Sequence, residues 1–206
     1  MTIRIAFAII SLALAGAPAW AQASTQASPA ATPAPLADLV QVELQTEKGR
    51  ILLALDRGRA PLTTANFLRY VDAGRFDGIT FYRAMPYGSG NGLIQGGITK
   101  DSRLLYPPVA HEPASKTGIA HEAGTILLAN AGPGTARSDF FITLGSIPFD
   151  DDFAPFGKVV EGMDVVKAIF ASPTSPTKGV GAMKGQMLEP GIVIRSAKRV
   201  PASTAN

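Results

Sequence analysis

The chain has 206 residues, 46% of them apolar and 17% charged, which suits one globular domain with a full core plus terminal segments. Its net charge is +3, and Arg195, Lys198 and Arg199 form the only local basic group, which argues against a nucleic-acid partner. Cysteine is absent, which excludes disulfides, thiol chemistry and the commonest structural zinc ligand.

At the N-terminus, Arg4 precedes an apolar run from Ile5 to Gly16. Ala19-Trp20-Ala21 then offers small residues at the two positions read by a signal peptidase. The run is too short for a permanent membrane span. Residues 1–21 therefore read as a signal peptide cut after Ala21. The mature protein is expected in the periplasm, or secreted as the alternative, with no stable membrane insertion. Residues 22–38 are Ala, Pro, Ser, Thr and Gln without hydrophobic period and predict a disordered leader.

A domain is predicted over 39–200. Leu39 to Thr46 alternates Val40, Val42 and Leu44 with Gln41, Glu43 and Gln45, a half-buried strand, and Ile51 to Leu55 returns as its hairpin partner. Pro61 opens a helix to Ala73, with Ala65, Leu68 and Val71 as its stripe and Gly74 as its stop. A strand over Thr80 to Met85 follows, then a glycine-rich loop over 86–92, then a strand over Leu93 to Gly97. Residues 98–124 hold three prolines and little periodicity and read as a long surface excursion. Short strands are predicted at Thr125 to Ala129, Phe140 to Leu144 and Pro155 to Val160. A helix over Met163 to Phe170 and a closing strand over Gly191 to Lys198 complete the domain, with a loose tail over 201–206. Seven or eight short strands, two distant helices and no βαβ rhythm predict a mainly β fold, a closed barrel capped by two α-helices.

Two stretches carry chemistry. Arg83 sits among Phe81, Tyr82, Ala84 and Met85, and an arginine in such a strand needs partners or a task. Gln95 follows the loop as a neutral donor and acceptor before Gly96 and Gly97. The second stretch runs from Ala129-Asn130-Ala131-Gly132-Pro133 to Phe140-Phe141, whose rings point to opposite faces of a strand, one core and one free to line a groove. His111 and His121 lack a third ligand, and Asp150-Asp151-Asp152 lacks the ligand spacing of a calcium loop, so no metal is expected.

From Leu39 to Lys198 the chain resembles the cyclophilin-type peptidyl-prolyl isomerases. Three ordered blocks carry the likeness: Phe81-Tyr82-Arg83 with Gln95-Gly96-Gly97, Ala129 to Pro133 with Ser138-Asp139-Phe140-Phe141-Ile142, and Phe156-Gly157-Lys158-Val159. The resemblance implies an eight-stranded antiparallel barrel, closed at each end by a helix, that accelerates X-Pro bond rotation during folding of exported proteins. It implies Arg83 as the catalytic residue. Gln95, Leu93, Ala129, Asn130, Ala131, Asp139, Phe141, Phe149 and Phe153 would bind substrate, with Met85 beside them. The expected partners are proline-containing peptides and unfolded exported proteins. No cofactor is expected, and the protein is expected to be a monomer.

Departures from the family pattern define the rest of the expectation. Tyr82 stands where the family has histidine, Asp139 where it has a groove glutamine, and Gly92 and Leu93 where it has phenylalanine and methionine. The aromatic and histidine near the third block align with Pro148 or Phe149 and with Phe153. Asp139 is expected to pair with Arg83 and fix its orientation. The altered wall at Gly92 and the aromatic lost near Pro148 motivate a rival reading, a cyclophilin-like module that binds proline segments without catalysis. A second rival is a scaffold working through the 98–124 excursion.

Overall fold

Alternation writes the first strand. In β1 (Leu39–Thr46), Val42, Leu44 and Thr46 are buried while Gln41, Glu43 and Gln45 are half-exposed, and β2 (Gly49–Asp56) pairs with it from Leu39–Asp56 to Thr46–Gly49. The structure, a computed structural model, describes residues 38–148 and 151–201. The expected signal peptide lies outside the described residues, as do the leader up to residue 37, Phe149 and the tail from 202.

The chain continues as α1 (Pro61–Asp72), β3 (Thr80–Tyr87), β4 (Asn91–Gly97), α2 (Ala114–Thr117), β5 (Thr125–Leu128), β6 (Phe140–Thr143), β7 (Ala154–Glu161), α3 (Met163–Phe170), β8 (Thr174–Ser175) and β9 (Met187–Val200). The strands follow one another in the order β1-β2-β7-β5-β6-β4-β3-β9, and pairing of β1 with β9 closes the ring. Eight antiparallel strands thus form a closed barrel, with the two-residue β8 riding on β9. Closure removes the open edges that a flat sheet would leave unpaired.

The interior is aromatic. Phe67 from α1 stands edge-on to Phe140 of β6 at 5.3 Å, and Phe81 of β3 meets the same ring at 5.7 Å. Phe76 and Phe156 complete the cluster, all fully buried. Each such ring contributes about 1.5–3 kcal/mol through removal from water. From α3, Val166 and Ile169 add their side chains to the same core.

Two expected loops are more ordered than the sequence reading allows. The 86–92 segment is a hairpin: Pro86 pairs with Gly92 and Tyr87 with Asn91, so the turn shrinks to Gly88-Ser89-Gly90, both glycines having positive φ. The 98–124 excursion contains a 3-10 turn at Ser102–Leu104 and the short α2, a third helix beyond the two expected.

That excursion is also anchored. Ala60, the residue before α1, has no side-chain oxygen to cap the helix. Glu112 does so from a distance: its fully buried carboxylate accepts the Thr63 amide N–H at 2.7 Å and the Thr63 hydroxyl at 2.8 Å. An acceptor and a negative charge at a helix N-terminus satisfy an orphan donor and oppose the helix dipole. Glu112→Ala leaves Thr63 without this partner and is expected to cost about 1–3 kcal/mol in urea denaturation, with Glu112→Gln losing less because it keeps an acceptor.

Candidate active site

The site begins with a misalignment in β3. Opposite β4, Phe81 faces Gly96 and Arg83 faces Gln95, so Tyr82 is an extra residue, a β-bulge. Strict alternation would turn Phe81 and Arg83 to the same face. With the bulge, Phe81 and Ala84 enter the barrel core while Arg83 and Met85 face outward. The bulge aims the arginine.

Arg83, Met85, Leu93, Gln95, Ala129, Asn130, Phe141 and Phe153 line a groove of about 400 Å³, which Asp152 and Met183 complete. Phe140 belongs to the barrel core, whereas its neighbour Phe141 packs outside with Leu93, Leu127 and Ile147. The Phe141 ring meets Phe153 edge-on at 5.0 Å. The floor and one wall are therefore apolar, and the arginine supplies the polar end.

The guanidinium is held by neutral acceptors. Its Nε–H donates to Gln186 Oε1 at 2.8 Å, an Nη1–H donates to Gln95 Oε1 at 3.0 Å, and Nη2 lies 3.1 Å from Met85 Sδ. Partial burial pulls its pKa down from the ordinary arginine value, opposed by the nearby Tyr82 oxygen. Arginine stays protonated through such a shift.

Asp139 does not pair with Arg83, contrary to expectation. Its Oδ1 accepts the Tyr82 hydroxyl at 2.6 Å and its Oδ2 the Ser138 hydroxyl at 3.3 Å. The physical reason is the bulge, which gives Tyr82 its own reach across to the start of β6. Asp139 lines a neighbouring hollow of about 260 Å³ with Gln95, Ala129, Asn130 and Ala131. The Asn130 side chain is committed within the protein, donating to Asp152 O at 2.8 Å and accepting the Gly132 N–H at 2.9 Å. The Ala129 N–H bonds to Asp139 O and the Ala131 N–H to Thr135 Oγ1.

Gly92 does not open the groove wall, as the sequence reading supposed. It lies on the face of β4 opposite Leu93 and Gln95, and a Cβ there would stand 2.5 Å from both Met85 O and Phe170 Cε2. The α3 ring takes the space. Of the expected site residues, Phe149 lies outside the described residues and the others surround the groove or the adjoining hollow. Sequence reasoning missed Gln186 and Met183, which come from a polar segment with no motif, where only a glutamine just before a strand gives any signal.

Residues 40–199 match the family of cyclophilin type peptidyl-prolyl cis-trans isomerases. A peptidyl-prolyl cis-trans isomerase A of Dickeya dadantii is 36% identical over 76% of this chain and 83% of its own length. A peptidyl-prolyl cis-trans isomerase of Acinetobacter baylyi is 35% identical over 65% of this chain and 73% of its own. A crystal structure of a cyclophilin-type isomerase of Cryptosporidium parvum superposes with a TM-score of 0.65, covering 79% of this chain and 98% of that one at 21% identity, which bears on the fold. The chain belongs to the cyclophilin-type peptidyl-prolyl cis-trans isomerases. Its activity is rotation of the X-Pro peptide bond, and its substrates are proline-containing peptides and proteins.

The Tyr82–Asp139 contact has a pH signature. Burial raises the Asp139 pKa from its ordinary 3.8, opposed by the hydrogen bonds from Tyr82 and Ser138. A carboxyl raised in the folded state contributes stability that is complete below its unfolded pKa and is lost as pH rises through the folded pKa. Relative to Asp139→Asn, the native protein is expected to lose stability as pH rises from about 3.8 through that raised value, read as the difference between urea midpoints across the acid range.

Proposed function

We propose that Arg83 is the catalytic residue of the isomerase and that the groove around it holds the prolyl ring. The observation that carries the reading is the outward-facing guanidinium at the edge of the apolar Phe141 surface, restrained by two amide oxygens and, among the described residues, by no carboxylate.

The chemistry needs little else. Resonance sets a barrier of about 18–20 kcal/mol to rotation of the peptide bond. At the twisted transition state that resonance is broken and the prolyl nitrogen regains a lone pair. A fixed N–H donor stabilises that lone pair. The planar nitrogen of the ground state is a poor acceptor, so the contact favours the transition state selectively. Phe141, Leu93 and Met85 keep the ring in a dry place, where the donor contact is stronger. The Gln95 amide nitrogen and the main-chain carbonyls of Ala129 to Ala131 are suited to hold the peptide on either side, since the Asn130 side chain and the Ala129 and Ala131 N–H groups are already engaged. No nucleophile or proton relay enters the reaction.

The biological setting proposed is folding of exported proteins in the periplasm by a monomeric enzyme. The charged start, apolar run and Ala19-Trp20-Ala21 segment support that setting. The reading of a binding module without catalysis loses one of its two motives at Gly92, where Phe170 fills the space a larger side chain would take.

Arg83→Ala is expected to lower kcat/KM about 100-fold or more, the scale for losing one transition-state donor. Arg83→Lys should recover little of it, because an ammonium lacks the planar fork. Exchange spectroscopy on a short X-Pro peptide reads the rate, and native turnover in Arg83→Ala would refute the assignment.

A further inference from the structure

Arg83 owes its direction to a residue far away in the chain. A guanidinium presents five N–H bonds in one plane, and two acceptors on different nitrogens fix both that plane and its rotation. Gln95 supplies one acceptor, from the strand paired with β3. Gln186 supplies the other, on Nε, from the segment before β9. With Met85 Sδ against Nη2, one N–H on each terminal nitrogen is left for a substrate.

Gln186 is itself held at every polar atom. Its side-chain Nε2 donates to Ala182 O at 2.8 Å, which leaves Oε1 as the acceptor for Arg83. Its main-chain N–H bonds to Met183 O at 3.1 Å, and its carbonyl accepts the N–H of Ala84, the residue next to Arg83, at 2.9 Å. The segment closes on itself through the Gly185 N–H to Lys178 O at 3.0 Å and through an ion pair between Lys178 and Glu189. The same closed segment carries Met183 into the groove lining. The Gln186 amide therefore sits at a set point beside the guanidinium.

The choice of an amide matters electrostatically. A carboxylate at 2.8 Å would orient Nε equally well but would neutralise the cation and weaken its remaining N–H donors. Asp139, the carboxylate expected from the sequence to pair with Arg83, is turned to Tyr82. An amide orients the cation and leaves its charge intact.

We propose that Gln186 is a positioning residue of this isomerase: its side-chain carbonyl fixes Arg83 through Nε so that the free Nη–H bonds face the prolyl nitrogen. The proposal rests on the reading of Arg83 as the catalytic donor. It adds to that reading the claim that the 178–186 segment sets the geometry of the reaction.

The test compares the native protein with Gln186→Met, which keeps the length but cannot accept, Gln186→Glu, which keeps the acceptor, and Arg83→Ala. Gln186→Met is expected to lower kcat about tenfold, the scale of one hydrogen bond to a charged group, with KM changed less than about twofold. In proton–nitrogen spectra the Arg83 Nε–H should exchange with water slowly in the native protein and in Gln186→Glu, and quickly in Gln186→Met. A segment that merely braces the barrel would move stability and leave the kcat-to-KM split and the Nε–H signal alone. Native kcat in Gln186→Met, a loss confined to KM, or fast Nε–H exchange in the native protein each overturns the proposal, the last without any variant having to fold. If Arg83→Ala is inactive while Gln186→Met keeps full turnover, Gln186 alone is refuted. If Arg83→Ala keeps native turnover, the catalytic reading falls and takes the positioning role with it.

Discussion

One extra residue in β3 organises the functional face of this barrel. The bulge at Tyr82 breaks the two-residue period of the strand, so Phe81 and Ala84 stay in the core while Arg83 and Met85 turn outward. Without that shift the arginine would point into an aromatic interior, where a charge without partners is very costly. The same shift places Met85 opposite Leu93 on the groove wall. Barrel stability and groove chemistry meet at this single change of register, because the ring of Phe81 anchors one side of the bulge in the core.

The groove then separates its charges. Tyr82 and Asp139, two departures from the family pattern, turn out to be one contact: the phenol donates to the carboxylate at 2.6 Å. That hydrogen bond engages the acid that the sequence pattern pairs with the guanidinium. Arg83 is left with two amides and a thioether, acceptors that restrain it without cancelling its charge. On the proposed reading, such a cation beside the apolar surface of Phe141 and Leu93 is preorganised for a lone pair that exists only in a twisted amide. The segment before β9 adds the Gln186 oxygen that holds Arg83 Nε.

Much of this was legible in the chain. Alternation located β1, the apolar return over Ile51 to Leu55 located β2, and Phe140-Phe141 announced one ring for the core and one for the groove. Pro61 marked the start of α1, but of the expected stripe only Leu68 and Val71 are buried; Ala65 is exposed, and the bulk of the buried face comes from Phe67 and Tyr70. The arginine and Gln95 stood out because their neighbours are apolar or glycine. What the sequence hid is non-local. Asp139 lies 57 residues from Tyr82, and nothing in either neighbourhood announces the contact. Gln186 lies 103 residues from Arg83. Glu112 caps a helix that begins about 50 residues earlier, so local capping rules do not reveal it. The bulge itself was hidden because Tyr82, Arg83 and Ala84 follow neither a clean alternation nor a glycine signal. At Gly92 a missing side chain read as a gap, whereas Phe170 from α3 fills that space.

The most direct test is a high-resolution crystal structure of the protein bound to a short X-Pro peptide. The account predicts the pyrrolidine ring on Phe141 between Leu93 and Met85, with an Arg83 Nη within about 3.5 Å of the prolyl nitrogen and Nε still on Gln186. A proline seated elsewhere on the barrel, or an Arg83 swung away into an ion pair with Asp139, would contradict it.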